Sequence, residues 1–208
     1  MGRDTKTKCK KCRRARTKLF LKGEKCYTEK CPMEKRPYPP GESGGRRSRS
    51  SQYRVRLREK QKARHIYGLR EEQFRNYVEE AKKGKTATGD RLLQILESRA
   101  DNIMYRGGLA VSRDQARQLI NHGHVAINGR SLNKASYLAR EDDKIGFKDN
   151  ARKKDGVKDI ISQNADRSVP EWLDKNQENG NVSVLFDPDP DEMKESIKVN
   201  LIVEFYSR

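Results

Sequence analysis

Apolar positions in this chain are sparse and fall in short helical groups, broken by polar, glycine-rich and proline-rich stretches. From Ser51 or Gln52 the stretch YRVRLREKQKARHIYG predicts a helix closed at Gly68. EEQFRNYVEEAKK predicts a second, with Phe74, Tyr77, Val78 and Ala81 at i, i+3, i+4 and i+7 as a core-facing stripe. A third is predicted from near Thr88 to Asp90 through RLLQILESRADNIMYR, stopping at Gly107-Gly108. Leu92, Leu96, Ala100 and Ile103 share one of its faces, and Asp101 reads as a helix-face residue rather than a catalytic acid.

Residues 109–147 are the most legible stretch. Ser112, followed three residues later by Gln115, is a capping-box pattern. The helix it opens, RDQARQLINHG, carries Ala116, Leu119 and Ile120 inward and stops at Gly123. Arg113 and Arg117, four apart, share a face and are expected to straddle a phosphate backbone. The strand HVAIN follows, turned back by Asn128-Gly129 as a type I′ hairpin, with short strands predicted around SYLA and KIGF. His122 and His124 form His-x-His, but no third ligand lies nearby in the chain. Both are read as structural, since a histidine at a helix C-terminus complements the dipole. Beyond residue 151 come the basic run Arg152, Lys153 and Lys154, a mixed helix, and Pro170-Glu171-Trp172-Leu173 with Trp172 read as core. DPDPDEM reads as a loop feeding a short turn, and the apolar LIVEFYSR as a closing strand.

Charge changes the picture. The 208 residues carry 47 Lys and Arg against 30 Asp and Glu, a net +17. Residues 1–70 hold 24 of the basic and 6 of the acidic residues, so the whole excess lies in the first third. Such a block attracts a polyanion by releasing its condensed counterions, which makes nucleic acid the leading partner. The competing reading is a disordered basic tail, but cysteines and aromatics interleave with the charge and such a tail needs neither. With 33% hydrophobic residues and a mean hydropathy of −1.10, any core is lean and shared between small units. No stretch approaches the roughly 20 apolar residues of a membrane span. MGRDTKTKCKK has no apolar h-region, and Lys6 stands where myristoylation wants Ser or Thr, so neither a secretory signal nor that lipid anchor is expected.

All four cysteines fall within 23 residues, as Cys9, Cys12, Cys26 and Cys31 in the spacing C-x2-C-x13-C-x4-C. Two short pairs separated by a loop suit a tetrahedral ion. Leu19, Phe20 and Leu21 with the following Lys-Gly-Glu read as a small hairpin that returns the second pair. Neighbouring lysines and arginines are expected to lower the thiol pKa values. The expectation is one structural zinc per chain, with every ligand position filled and none open for catalysis. Spacing alone leaves an iron–sulfur cluster on the same thiolates open. Two disulfides are disfavoured in a reducing compartment, and the Cys-x-x-Cys lacks the βαβ setting of a redox pair. So polar a segment would draw its folding energy from the metal. Past Cys31, Pro37, Pro39 and Pro40 with Gly41, Gly44 and Gly45 predict an extended connector that ends in Arg46, Arg47 and Arg49.

Taken together the chain resembles the bacterial small ribosomal subunit protein S four family over essentially its whole length. The matches are the four-cysteine N-terminus, RPYPPG (36–41), RLREKQKARHIYG (56–68), QFRNYVEEA (73–81), LLQILESRADNIMYRGG (92–108), SRDQARQLINHGHVAINGR (112–130) and LIVEFYSR (201–208). The segment from about 98 to 160 is similar to the RNA-binding module named after that family. The resemblance implies an α+β fold with a zinc-binding segment and basic connector over 1–45 and a mainly helical domain over 46–97, completed by 161–208. A small α/β RNA-binding module over 98–160 is inserted between them.

The resemblance also implies a cytoplasmic, structural constituent of the small ribosomal subunit. It would bind the 5′ domain of 16S rRNA directly, nucleate 30S assembly around a multi-helix junction and touch neighbouring small-subunit proteins. Arg46, Arg47 and Arg49 match a basic stretch lining the channel by which mRNA enters, where structured message is unwound and accuracy is set. Only some members keep the cysteines, so the full set here implies the zinc-bearing form. Some members also repress their own operon or act in rRNA antitermination. The residues expected at RNA are Arg3, Arg13, Arg14, Arg46, Arg47, Arg49, Arg54, Arg56, Arg58, Lys60, Lys62, Arg64, Arg113 and Arg117.

Two other classes fit less well. A tRNA synthetase carrying the same module would need HIGH and KMSKS signatures, and a pseudouridine synthase would need a catalytic domain for which too little chain is left. No nucleophile–base or phosphate-loop pattern is present, so no enzyme is expected. A zinc-ribbon transcription factor would need a long base-reading helix beside the metal segment.

Overall fold

The computed structural model describes residues 7–41, 51–165, 167–176, 179–194 and 196–207. The backbone divides into two compact units, residues 1–93 with 190–208 and residues 94–189.

The first unit is helical. It holds α1 (Lys8–Ala15), α2 (Pro32–Lys35), α3 (Gln52–Ile66), α4 (Glu71–Lys82) and the start of α5 (Thr88–Glu97), then α10 (Asp191–Lys194) and α11 (Val199–Tyr206). Ser51 caps α3, its Oγ accepting from Arg54 N at 3.3 Å. The stripe Phe74, Tyr77, Val78 and Ala81 of α4 is buried throughout. Between the cysteine pairs the expected hairpin is absent. Arg16 and Phe20 take left-handed φ of 57° and 49°, and a 3-10 helix over Gly23–Cys26 follows. The closing segment is a helix rather than a strand. α11 lies along α3, with Val199 and Ile202 buried and the Phe205 ring 4.8 Å from Lys60 Nζ. An apolar, β-branched run is ambiguous between strand and helix until its partner is known, and here the partner is a helix.

The second unit is a five-stranded antiparallel sheet backed by helices. After the end of α5 come α6 (Ala100–Arg106), α7 (Arg113–Asn121), β1 (Val125–Ile127), β2 (Arg130–Leu132) and β3 (Lys144–Phe147). α8 (Asp149–Arg152), α9 (Asp155–Gln163), β4 (Leu173–Asn176) and β5 (Asn181–Val184) complete it. The strand order is β2-β1-β3-β5-β4. Residues 161–189 therefore sit with this sheet, and not with the helical domain in which the family resemblance places them. The pairing of Ile145 with Val182 brings β5 against β3, and local patterning does not reveal it. SYLA makes one bridge, Arg99 to Leu138, instead of a strand.

That same bridge interrupts what reads as one long helix. Ala100 N donates to Tyr137 O and Ala139 N to Ser98 O, each at 2.8 Å, and Arg99 is pulled to an extended ψ of 136° between α5 and α6. The Asn128-Gly129 turn is as predicted: φ of 47° and 78° closes a type I′ hairpin with Ile127 opposite Arg130. Gly107 is required by close approach, because a Cβ there would run into Val182 of β5. Ile103, Ile120, Val125, Ile145, Trp172 and Val182 lie in the core between helices and sheet.

Candidate nucleic-acid interface

α1 sets Cys9 and Cys12 one turn apart, the 3-10 helix ends on Cys26, and Cys31 precedes α2. The four are free thiols, and all of them border one cavity of about 10 Å³ together with Leu21, Pro32 and Met33. That is room for roughly one water-sized sphere. Lys22 N donates to Cys26 Sγ at 3.3 Å. Burial pushes the Cys12 thiol up, and Cys26, Cys9 and Cys31 add to the rise, so the basic surroundings do not lower it as expected. Among the described residues no group of three or more His, Cys, Asp or Glu is placed so that it could hold a metal ion.

The basic residues of the first unit sort into two sets. Arg3, Arg46, Arg47 and Arg49 lie outside the described residues. Arg13 fastens α1 to the connector, with Nε donating to Tyr38 O at 2.9 Å and the guanidinium 5.2 Å from the Tyr38 ring centroid. On α3, Lys60 is buried and pairs with Glu71 Oε1 at 2.5 Å, while Arg64 lies 3.7 Å from Glu71 Oε2. Arg56 Nε donates to Glu204 Oε2 at 2.6 Å, and Lys62 pairs with Glu59 at 3.2 Å. Burial pushes the Glu71 carboxyl up, but hydrogen bonds from Lys60 and Tyr206 outweigh it and hold it below the ordinary value.

Arg54 and Arg58, on another face of α3, are exposed and stand with exposed Arg14 and Arg16. Burial, then the charges of Arg16, Arg54 and Arg14, hold the Arg58 guanidinium below its ordinary value. The field at Arg58 is therefore positive, and an anion would relieve it.

In the second unit the predicted pair of arginines turns inward. Asp101 and Asn102 of α6 are 1% and 0% exposed. Arg99 donates to both oxygens of Asp101, at 3.0 and 2.7 Å, and Arg117 Nε donates to Oδ2 at 3.0 Å. Burial pushes Asp101 up, but Arg99 and Arg117 outweigh it and hold the carboxyl below its ordinary value. Asp101 thus lies on a helix, α6, as the sequence reading has it, and there it is the centre of an internal ion cluster. Arg113 Nε donates to Asn102 Oδ1 at 2.7 Å, and its guanidinium stands 4.4 Å from the Tyr105 ring centroid, which also has Arg167 at 4.3 Å. Asn102 Nδ2 in turn donates to Glu97 Oε2 at 2.9 Å, and Arg106 Nε to the same oxygen at 3.0 Å.

Ser112 Oγ accepts from Gln115 N at 3.3 Å as the capping pattern predicts, and Gln115 Oε1 reaches back to Val111 N at 2.8 Å. Exposed positive charge in this unit includes Arg130, Lys153 and Lys154, and half-buried Lys148 follows directly on β3. Of these, sequence patterning points only to the basic run beginning at Arg152.

Residues 3–97 match the family model described as the ribosomal protein S4/S9 N-terminal domain, and residues 98–145 match the S4 domain. Small ribosomal subunit protein uS4 of Dictyoglomus turgidum is 48% identical over 210 residues, spanning all of both chains. The chain belongs to the ribosomal protein uS4 family. The uS4 of Thermus thermophilus is 47% identical over 209 residues, again over the whole of both, and that of Halothermothrix orenii is 46% identical over 96% of each. uS4 is a family of structural ribosomal proteins and not of enzymes. The S4-domain match takes in α6, α7, β1, β2 and the start of β3. β4 and β5, outside that match, complete its sheet.

Proposed function

We propose that the protein is an rRNA-binding constituent of the small subunit of the cytoplasmic ribosome, holding the 5′ domain of 16S rRNA and nucleating assembly there. One observation carries this reading, the grouping of Arg14, Arg16, Arg54 and Arg58 at one exposed place. Like charges held together repel in the isolated protein and are relieved when a phosphate backbone enters and releases its counterions. Side chains carried on helices read the path of that backbone rather than bases, as suits a junction of RNA helices. Among the described residues, no helix is long and apolar enough to cross a membrane. Arg46, Arg47 and Arg49 keep the mRNA-facing role that the resemblance implies.

The thiols of Cys9, Cys12, Cys26 and Cys31 would hold one zinc ion. Support comes from a donor set of four thiols, in two short pairs, that border one cavity. Bound there, zinc supplies folding energy to a polar segment and no reaction chemistry.

The test is titration of metal-replete protein onto a 5′-domain transcript across a salt series, with a junction-mutated transcript and duplex DNA as competitors. Tight binding that disappears with the junction is expected, and equal binding to every polyanion would overturn the reading. Metal analysis of the same preparation should find one zinc per chain. Metal-free protein with four reactive thiols after gentle purification would overturn that assignment.

A further inference from the structure

Where α7 gives way to β1, His122 and His124 come together with ring centroids 6.2 Å apart. β3 delivers Lys148 to the same place, its N donating to His124 O at 2.9 Å and its Nζ to Ser131 Oγ at 2.7 Å. Lys154, just before α9, adds its charge, and Lys154, His122 and Lys148 are the charged groups acting on His124. The acids flanking these lysines in sequence, Asp149 and Asp155, are 86% and 95% exposed. They face Arg152 at 3.5 Å and Lys158 at 3.6 Å within their own helices. Separate stretches of chain thus bring two imidazoles and two ammonium groups together. A metal cation at His-x-His would meet both ammonium groups, whereas an anion is welcome.

We propose that His122, His124, Lys148 and Lys154 form a notch for an RNA backbone phosphate, in which an imidazole takes up a proton as the phosphate enters. The notch rests on the rRNA-binding reading above and adds to it a binding site and a pH dependence. In the unbound protein burial, followed by Lys154, His122 and Lys148, holds His124 below the ordinary imidazole value. A phosphate among these groups reverses the local field and favours the protonated ring. The sign follows from linkage: binding takes up a proton, so affinity rises as pH falls.

The experiment uses full-length, metal-replete protein and the 5′-domain transcript at fixed ionic strength between pH 8 and pH 6. Wild-type affinity should rise on acidification, by up to about tenfold for each unit by which bound RNA raises the imidazole pKa. Calorimetry in buffers of different ionisation enthalpy should show net proton uptake. His122→Gln with His124→Gln should flatten that rise and abolish the uptake. His65, the third histidine of the chain, is common to both proteins and cancels in the comparison. Lys148→Gln with Lys154→Gln should weaken binding throughout and lower the slope of log K against log salt by about 0.7–0.9 for each phosphate no longer neutralised. Junction-specific binding whose pH profile is the same in wild type and the histidine variant overturns the notch while leaving the rRNA reading standing. Loss of junction specificity at every pH overturns both.

Discussion

Replacing Arg117 by Ala separates an arginine that serves the fold from one that serves the ligand. The Arg117 side chain is 11% exposed and that of Asp101 1%. Removing one member of a buried ion pair costs about 3–5 kcal/mol when the surviving charge is stranded. Here Arg99 still holds both oxygens of Asp101, so the loss is closer to that of hydrogen bonds to a charged group, about 2 kcal/mol. Asp101→Asn is harsher, because it leaves two guanidiniums facing each other without the carboxylate, and about 3–5 kcal/mol is expected. Trp172 is the one tryptophan of the chain and is 1% exposed in the same core. Its fluorescence in a urea titration therefore reports the second unit. Under conditions where the Arg117→Ala protein is folded, its salt slope on the 5′-domain transcript should equal that of wild type. Stability within about 0.5 kcal/mol of wild type, with a slope lower by about 0.7–0.9, would refute the reasoning and put Arg117 on a phosphate.

Arg54→Ala with Arg58→Ala should do the reverse, lowering the salt slope by about 0.7–0.9 for each phosphate no longer neutralised, with little change in the urea midpoint. An unchanged slope would remove these residues from the interface. The carboxyls of Asp101 and Glu71 are both held below their ordinary values of 3.8 and 4.5 in the folded chain. Their contribution to stability is therefore complete above those values and lost as pH falls through the lower folded ones. Urea midpoints measured downward from pH 7 should hold until about pH 5 and then fall; a chain that gained stability below pH 4 would contradict both pairings.

What is legible in the sequence is what is satisfied locally. The α4 stripe, the Ser112 cap and the Asn128-Gly129 turn each complete their geometry within a few residues, so their pattern is sufficient. What patterning misses depends on distant partners. The break between α5 and α6 is set by residues 137–139, β5 by its register on β3, and α11 by α3, whose Arg56 meets Glu204 across 148 positions. Cysteine spacing reads as a metal site, and the four thiols border one cavity. The spacing does not show the path between them, where Arg16 and Phe20 adopt backbone conformations that favour glycine. Arg113 and Arg117 mislead for the same reason, since spacing shows that two side chains share a face but not what the face meets. A signal is available in Asp101-Asn102, set between the buried Ala100 and Ile103. Polar groups buried on an apolar helix demand partners, and the nearby arginines are the available ones.

The formal charge of +17 therefore overstates what RNA meets. On α3 the basic residues form two stripes of period four. Arg56, Lys60 and Arg64 lie toward Glu204 and Glu71, while Arg54 and Arg58 lie with Arg14 and Arg16. A guanidinium already compensated by a carboxylate releases few counterions when a phosphate arrives, because its field was cancelled before the encounter. Among the described residues the salt dependence of binding should accordingly weigh Arg54, Arg58, Lys148 and Lys154 above the carboxylate-paired Arg56, Lys60 and Arg64. The division explains why one helix can be dense in positive charge and still pack: one face gives its charge to the fold and another to the ligand.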